Sequence, residues 1–368
     1  MVTVLDQDVQ LELIAVPGYE KVIKVDCPSV GLRAIICIHN SCMGPALGGT
    51  RIYPYATFED ALEDVKRLAK GMTYKSAIAE CGWGGGKSVI IADPRTQKTP
   101  ELLRAFGSAV SQLQGEYICA EDVGCTPSDM AIISQTTPYV VGLIHSKSSG
   151  DPSPFTAWGT YRGIQAVLKK IYGTESVEGR TVAIQGMGSV GAKVAQILFW
   201  AGARLIIADT DAEKVATVAK QTCAQVVSPQ EILMASCDVF SPCAMGGILN
   251  EKTIPLMQCK AVAGAANNQL LKDADADALA AKGILYAPDF LINSGGLINV
   301  TQELEAVGYQ PCSSRNKVHA IYDQLLTIFD IAEQKLCSTH HAALSLCEYR
   351  LKYQLGKRIE SPCFHHTK

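Results

Sequence analysis

The sequence predicts an α/β fold in two domains, each a sheet with helices packed on its faces. Three observations lead there. At 368 residues the chain is long for one domain, which typically takes about 150. Short apolar runs alternate with stretches of helical periodicity along most of its length, the pattern of parallel strands covered on both sides. Within 181–211 the order is apolar run, glycine-rich turn, helical stretch, apolar run and acidic residue, the make-up of a Rossmann unit.

The elements follow in order. GLRAIICIHN (31–40) predicts a strand and MGPALGGTRIYP (43–54) a turn-rich connection. TFEDALEDVKRLAKGM (57–72) predicts a helix: Thr57 and Asp60 form a capping-box start, and Phe58, Ala61, Leu62, Val65, Leu68, Ala69 and Met72 make one apolar face. SVIIAD (88–93) reads as a buried strand closed by Pro94, PELLRAFGSAVSQL (100–113) as a helix and EYICAED (116–122) as a strand. A second series opens with a helix over 153–173, stopped by Gly173, and continues with TVAIQG, a helix over 188–201 and ARLIIAD. CDVFSP, KAVAGAA and GILYAPD supply further strands, and from about 315 onward the pattern is helical, with Ile321, Leu325, Ile328 and Ile331 in phase.

Composition narrows the functional classes. Hydrophobic residues make up 48% and charged residues 19%, ample for two buried cores. A net charge of −3, with basic residues scattered, argues against nucleic-acid and membrane-surface partners. None of the fourteen cysteines falls in a C-x-x-C pair, so reduced thiols and no metal site are expected. The pairs His340-His341 and His365-His366 read as surface or tail residues. MVTVLDQDVQLEL is acidic where a signal peptide is basic, and no apolar run is long enough to span a bilayer, so a cytoplasmic protein is expected.

Two glycine-rich stretches carry chemistry. In Gly186-Met187-Gly188-Ser189-Val190-Gly191 the first glycine would make a tight turn, the second would let the backbone approach a pyrophosphate, and the third would let helix and strand pack closely. The phosphates would meet free N–H groups at the helix N-terminus. Asp209, 18 residues past Gly191, is placed to bond the adenosine ribose, and its charge would repel a 2′-phosphate; NAD is therefore expected over NADP. The second stretch, ECGWGGGKSVIIADP (80–94), ends like a phosphate-binding P-loop but has Cys81 where the first glycine belongs, and a helix precedes it where a strand should. Lys87 is then a lysine on a glycine-rich turn before a buried strand. Apolar surroundings, or a second cation such as Lys75, would lower its pKa toward acid–base use.

GPALGGTR, RLAKGMTYK, GGGKSVIIADP, AEDVG, SPFTAWGTYRG, GMGSVG, GAANNQL and YAPDFLINSGGLINV occur in that order over about 30–305. This chain closely resembles the amino-acid dehydrogenases that act on leucine, valine, phenylalanine and glutamate, with the leucine-specific branch matching best. The resemblance implies that Lys75 binds the substrate α-carboxylate, that Lys87 is the catalytic lysine and that Asp122 handles protons at the amino group. It implies that the backbone of Gly48 and Gly49 shapes the substrate site, and that Thr156 and Asn267 lie near the nicotinamide. Glutamate-specific members carry a lysine at the position of Leu47 and a serine at that of Val300. Leu47, Ala120, Leu297 and Val300 are therefore expected to line an apolar side-chain pocket.

The implied reaction is NAD-dependent oxidative deamination of a branched-chain L-amino acid, leucine first, to the 2-oxo acid and ammonia; valine, phenylalanine or another apolar amino acid is the alternative. A non-catalytic NAD-binding homologue is the rival of another class, and it would have little reason to keep Lys75, Lys87 and Asp122 together. The resemblance further implies a homo-oligomer, commonly an octamer. It also implies a substrate domain over 1–141, completed by helices in 335–368, and an NAD-binding domain over 142–334.

Overall fold

The computed structural model describes residues 8–145 and 147–365. Residues 1–7 of the acidic N-terminal stretch, and His366, lie outside the described residues. The chain forms two compact units. One takes the chain up to Gly150, the segment Val300–Pro311 and the chain from Tyr349 on; the other takes Asp151–Asn299 and Cys312–Glu348.

The first unit is built on a six-stranded sheet: β1 (Gln10–Ile14), β2 (Lys21–Cys27), β3 (Leu32–Asn40), β4 (Ala46–Tyr53), β5 (Gly84–Ile91) and β6 (Tyr117–Glu121), in the order β1-β2-β3-β5-β4-β6. The sheet is mixed, not parallel as the alternation of elements suggests. Short connections join β1 to β2 and β2 to β3, and only antiparallel pairing is compatible with so little chain. Strand β5 pairs antiparallel with β3 and parallel with β4, which is also parallel to β6. The crossover from β4 to β5 is α1 (Phe58–Ile78), whose capping box at Thr57 and Asp60 forms as the sequence predicts. Ala61, Val65 and Ala69 of α1 pack on Val22, Ile35, Cys37 and Val89, covering one face of the sheet. The other face packs against α2 (Pro100–Gln112) and α3 (Pro127–Ile133) through Leu102, Phe106, Met130 and Ile133.

Two stretches read as turns are central strands. LGGT lies inside β4, and β5 begins at Gly84, so Lys87 sits in mid-strand rather than on a turn before it. Their glycines disguise them, because β-propensity scores side chains and here their absence is what the packing needs. A Cβ on Gly48 would lie 1.8 Å from the Gly86 carbonyl oxygen, and one on Gly85 would lie 2.2 Å from the backbone nitrogen of Thr73 in α1.

The second unit is a parallel sheet of β7 (Thr181–Gln185), β8 (Arg204–Ala208), β9 (Gln225–Val226), β10 (Cys237–Pro242), β11 (Cys259–Val262) and β12 (Leu285–Tyr286). Its order, β9-β8-β7-β10-β11-β12, is the doubly wound arrangement, with the order reversing between β7 and β10. The first helices are α4 (Ser153–Tyr172), closed by Gly173 in a left-handed cap, and α5 (Ser189–Trp200), which follows the glycine loop. All fourteen cysteines are free thiols.

At Gly48 the limiting contact is backbone alone, and this has a measurable consequence. Gly48→Ala cannot be absorbed by a side-chain shift and should cost about 3 kcal/mol or more. Gly71→Ala, on the exposed side of α1 with nothing within 4 Å of its new Cβ, should gain roughly 0.8–1 kcal/mol. Denaturant midpoints check both signs; equal effects would contradict the packing argument.

Candidate active site

Strand alternation fixes which side chains share a face. Gly49 lies beside Ala120 of β6, and Thr50 beside both Ser88 of β5 and Glu121 of β6, so Leu47, Gly49, Lys87 and Ala120 face the α1 side. Lys87 is only 7% exposed. Its ammonium group is paired with the carboxylate of Asp122, just beyond the end of β6. The floor beneath the pair is Gly49, where a Cβ would lie 2.9 Å from Lys87 Nζ and 2.9 Å from Asp122 Cβ. On the opposite face the Tyr117 hydroxyl donates to the Gly48 carbonyl (2.9 Å) and bonds Ser88 Oγ (3.0 Å), and Ser88 Oγ in turn bonds Thr50 Oγ1 (2.9 Å). This buried network ties the backbones of β4, β5 and β6 together directly under the pair.

Burial and pairing pull Lys87 in opposite directions. Burial lowers its pKa, Asp122 draws it back up, and burial prevails: Lys87 ionises below the ordinary lysine value. For Asp122 burial raises the pKa, but the charge and hydrogen bond of Lys87, followed by the Arg51 charge, hold it below the usual carboxylate range. At neutral pH the site thus contains a firmly ionised carboxylate beside an amine that sheds its proton more readily than usual. Such a pair can deliver and withdraw protons at a substrate.

The other residues read for the substrate site are distributed as follows. Leu47 is buried (2%), while Ala120 is half-buried on the same face. Lys75 lies in the last turn of α1, half-buried, two residues beyond the Thr73 that touches Gly85. Val300 belongs to the first unit and Leu297 to the second; both are half-buried.

In the second unit the glycine loop lies at the C-terminal end of β7, at the point where the strand order reverses. Gly186 has φ +99°, which other residues rarely adopt, and a Cβ on Gly191 would lie 1.9 Å from the Gly186 carbonyl oxygen. Gly188 has open space around it and caps α5 with no side-chain cap hydrogen bond, so an anionic group fits there. Met187 and Ser189 to Val190 complete the loop into α5. Asp209 Oδ2 accepts from the Met187 N–H (2.5 Å), and Asp209 Oδ1 accepts from the Asp211 N–H (2.9 Å). Partial burial raises the Asp209 pKa but these amide bonds outweigh it, leaving the carboxylate below its usual range. Thr156, in the first turn of α4, contacts the NSGG segment: Cβ atoms on Gly295 and Gly296 would lie 3.0 and 2.8 Å from it. Asn267 is exposed and its side-chain oxygen accepts from Asn293 Nδ2 (2.8 Å).

Two contributors escaped the sequence reading. Arg51 lies within GGTR and reaches Asp122, and Asn293 lies within LINSGG and orients Asn267. Both sat inside quoted motifs, but nothing local distinguishes them from structural polar residues. One expectation fails: His340 is buried, not a surface residue, packed edge-on against Phe290 and 3.3 Å from Asp273. The thiols flanking Asp122, Cys119 and Cys125, are buried, and burial pushes Cys125 up to about 12, so neither is a reactive thiolate. Among the described residues no helix is long and apolar enough to cross a membrane.

A doubly wound unit with its glycine loop at the switch point, on one chain with a buried lysine–carboxylate pair, has the architecture of a nucleotide-dependent dehydrogenase. Comparison with known proteins makes the class specific. Residues 19–139 match the family described as Glu/Leu/Phe/Val dehydrogenase, dimerisation domain, and residues 205–343 match Glutamate/Leucine/Phenylalanine/Valine dehydrogenase. The leucine dehydrogenase of Geobacillus stearothermophilus is 46% identical over 335 residues, 91% of each chain. The phenylalanine dehydrogenase of Caldalkalibacillus thermarum is 46% identical over 342 residues, also 91% of each. The crystal structure of L-tryptophan dehydrogenase from Nostoc punctiforme superposes with a TM-score of 0.82 at 44% identity, covering 91% of this chain and 96% of that one. The chain belongs to the Glu/Leu/Phe/Val dehydrogenase family of pyridine-nucleotide-dependent amino-acid dehydrogenases.

The ion pair predicts a pH signature in stability. Asp122 stabilises the fold above the ordinary carboxylate value of about 3.9, and that contribution is lost as pH falls through its depressed folded value. Asp122→Asn strands the buried ammonium, and around neutral pH should cost about 3–5 kcal/mol. The gap should close toward acid, where Asp122 is protonated in the wild type, and toward alkali, where Lys87 is neutral in both proteins. Denaturant titrations across pH check this; a constant gap would contradict the assigned pair.

Proposed function

We propose that the chain oxidatively deaminates a branched-chain L-amino acid, leucine first, using NAD. The observation that carries the reaction is the buried Lys87–Asp122 pair over the Gly49 floor. A bound nicotinamide would supply the acceptor for hydride from the substrate α-carbon. Lys75 holds the α-carboxylate of the amino acid. Lys87, in its neutral form, takes a proton from the water that attacks the resulting imine carbon. Asp122 exchanges protons with the substrate nitrogen, so that ammonia leaves and the 2-oxo acid remains.

Leu47 supports the substrate class. It is buried on the face that Lys87 shares, and a side-chain carboxylate brought against it without a partner would cost several kcal/mol by order of magnitude. Glutamate is disfavoured on that ground. Asp209 supports NAD: held ionised by loop amides, it attracts the ribose hydroxyls and repels a 2′-phosphate. Thr156 and Asn267 are assigned to the nicotinamide end. The assembly is proposed as a homo-oligomer, an octamer by resemblance, formed through the first unit.

NADH formation across a panel of amino acids, with NAD and NADP, tests the reading. Leucine, isoleucine and valine should turn over best and with NAD; fastest turnover of phenylalanine or tryptophan, or a preference for NADP, would overturn the respective part. Lys87→Ala should lose about 10³-fold or more in kcat while NADH affinity stays within about threefold. In the wild type kcat should rise with pH as Lys87 loses its proton, with a midpoint below the ordinary lysine value.

A further inference from the structure

Arg51 lies two residues beyond Gly49 on β4, on the same face as Lys87. Its Nε is 3.4 Å from Asp122 Oδ2, the carboxylate that pairs with Lys87. Its other end is fixed: Arg51 Nη1 donates to Asp64 Oδ2 (2.8 Å), and the same oxygen accepts from the Tyr55 hydroxyl (2.6 Å). Asp64 Oδ1 accepts from Arg67 Nη2 (2.9 Å). A chain of alternating charge therefore runs from α1 to the buried pair through side chains that are each about one-fifth exposed or less, apart from the outermost, Arg67.

Two consequences follow from this geometry. The guanidinium takes part of the Asp122 charge, so the carboxylate is not spent wholly on Lys87. And because Asp64 clamps the guanidinium, its positive charge is kept 3.4 Å from the Asp122 carboxylate, an ion-pair contact without a hydrogen bond. We propose that Arg51 is a positioning residue of the active site, placed to share the charge of Asp122 so that the carboxylate does not lock Lys87 in its ammonium form. The balance of charges agrees: burial lowers the Lys87 pKa, Asp122 raises it, Arg51 lowers it again and Asp64 raises it slightly. The inference rests on the deaminase reading above, in which neutral Lys87 does the work.

The test is the pH profile of kcat for Arg51→Gln, Arg51→Lys and Asp64→Asn, each with KM and NADH affinity. In Arg51→Gln the acid limb should move to higher pH. Turnover near pH 7 should fall about tenfold per unit of displacement, with the deficit shrinking at alkaline pH and with KM and NADH affinity within about threefold. Arg51→Lys should recover most of the loss. Asp64→Asn leaves the Arg51 charge in place and removes a counter-charge, so its limb should move the opposite way, to lower pH. A residue that served only the fold would lower kcat equally at every pH. That result, an unmoved limb, or Arg51→Lys no better than Arg51→Gln would overturn the assignment. Should Arg51→Gln not fold, an Asp64→Asn limb that stays or moves upward overturns it equally. A wild type that oxidises no amino acid sinks the deaminase reading and this inference together, whereas an active wild type with an unmoved variant limb sinks the Arg51 role alone.

Discussion

Placing an amine in the middle of a β-sheet is the constraint on which the first unit depends. A buried ammonium costs several kcal/mol unless a partner offsets it, and lysine is rarely buried without one. Lys87 meets this cost through Asp122, and the pair fits only because the strand beside it has no side chain at Gly49. Gly48 lets β4 come close to β5, and Gly85 lets β5 come close to α1. The buried hydroxyl network of Tyr117, Ser88 and Thr50 keeps these thinly clad strands in register from below. Stability and basicity are thus opposed at one atom: the desolvation that penalises the charged amine is what lowers its basicity.

The second unit solves a different problem with the same residue type. Its glycines are spaced for a turn, an open approach and a close packing contact, and they sit where the order of strands reverses. The carboxylate after β8 is drawn onto the loop by two backbone amides, so the acid and the glycines form one structure before any nucleotide arrives. Both glycine stretches are therefore places where backbone must come near something charged. In one the charge is the protein's own lysine; in the other it is the carboxylate of Asp209.

Much of this was legible in the chain. The capping box at Thr57, the stop at Gly173 and the strand–loop–helix–strand–acid order around Gly186 depend on neighbours in sequence, and each appears where local chemistry puts it. Strands β4 and β5 were hidden for the opposite reason: their glycines answer to Gly86 and Thr73, which only the folded sheet brings near. The antiparallel pairing of β1, β2 and β3 depends on connection length, not on periodicity. Lys87 could be singled out as unusual, but its partner Asp122, 35 residues away, came from resemblance and not from spacing. Arg51 and Asn293 carried no signal of their own, since each acts through a residue remote in sequence. In sequence His340 reads as half of an exposed pair, but the folded chain buries it edge-on against Phe290.

The central claim is that the folded protein holds Lys87 as an amine of lowered basicity. The most direct measurement is the rate at which an uncharged amine-modifying reagent labels Lys87 as pH is varied, read by mass spectrometry against exposed lysines of the same chain. The account predicts a Lys87 midpoint clearly below those of the exposed lysines, moving lower still in Asp122→Asn as the counter-charge is removed. A midpoint equal to or above that of the exposed lysines would contradict it.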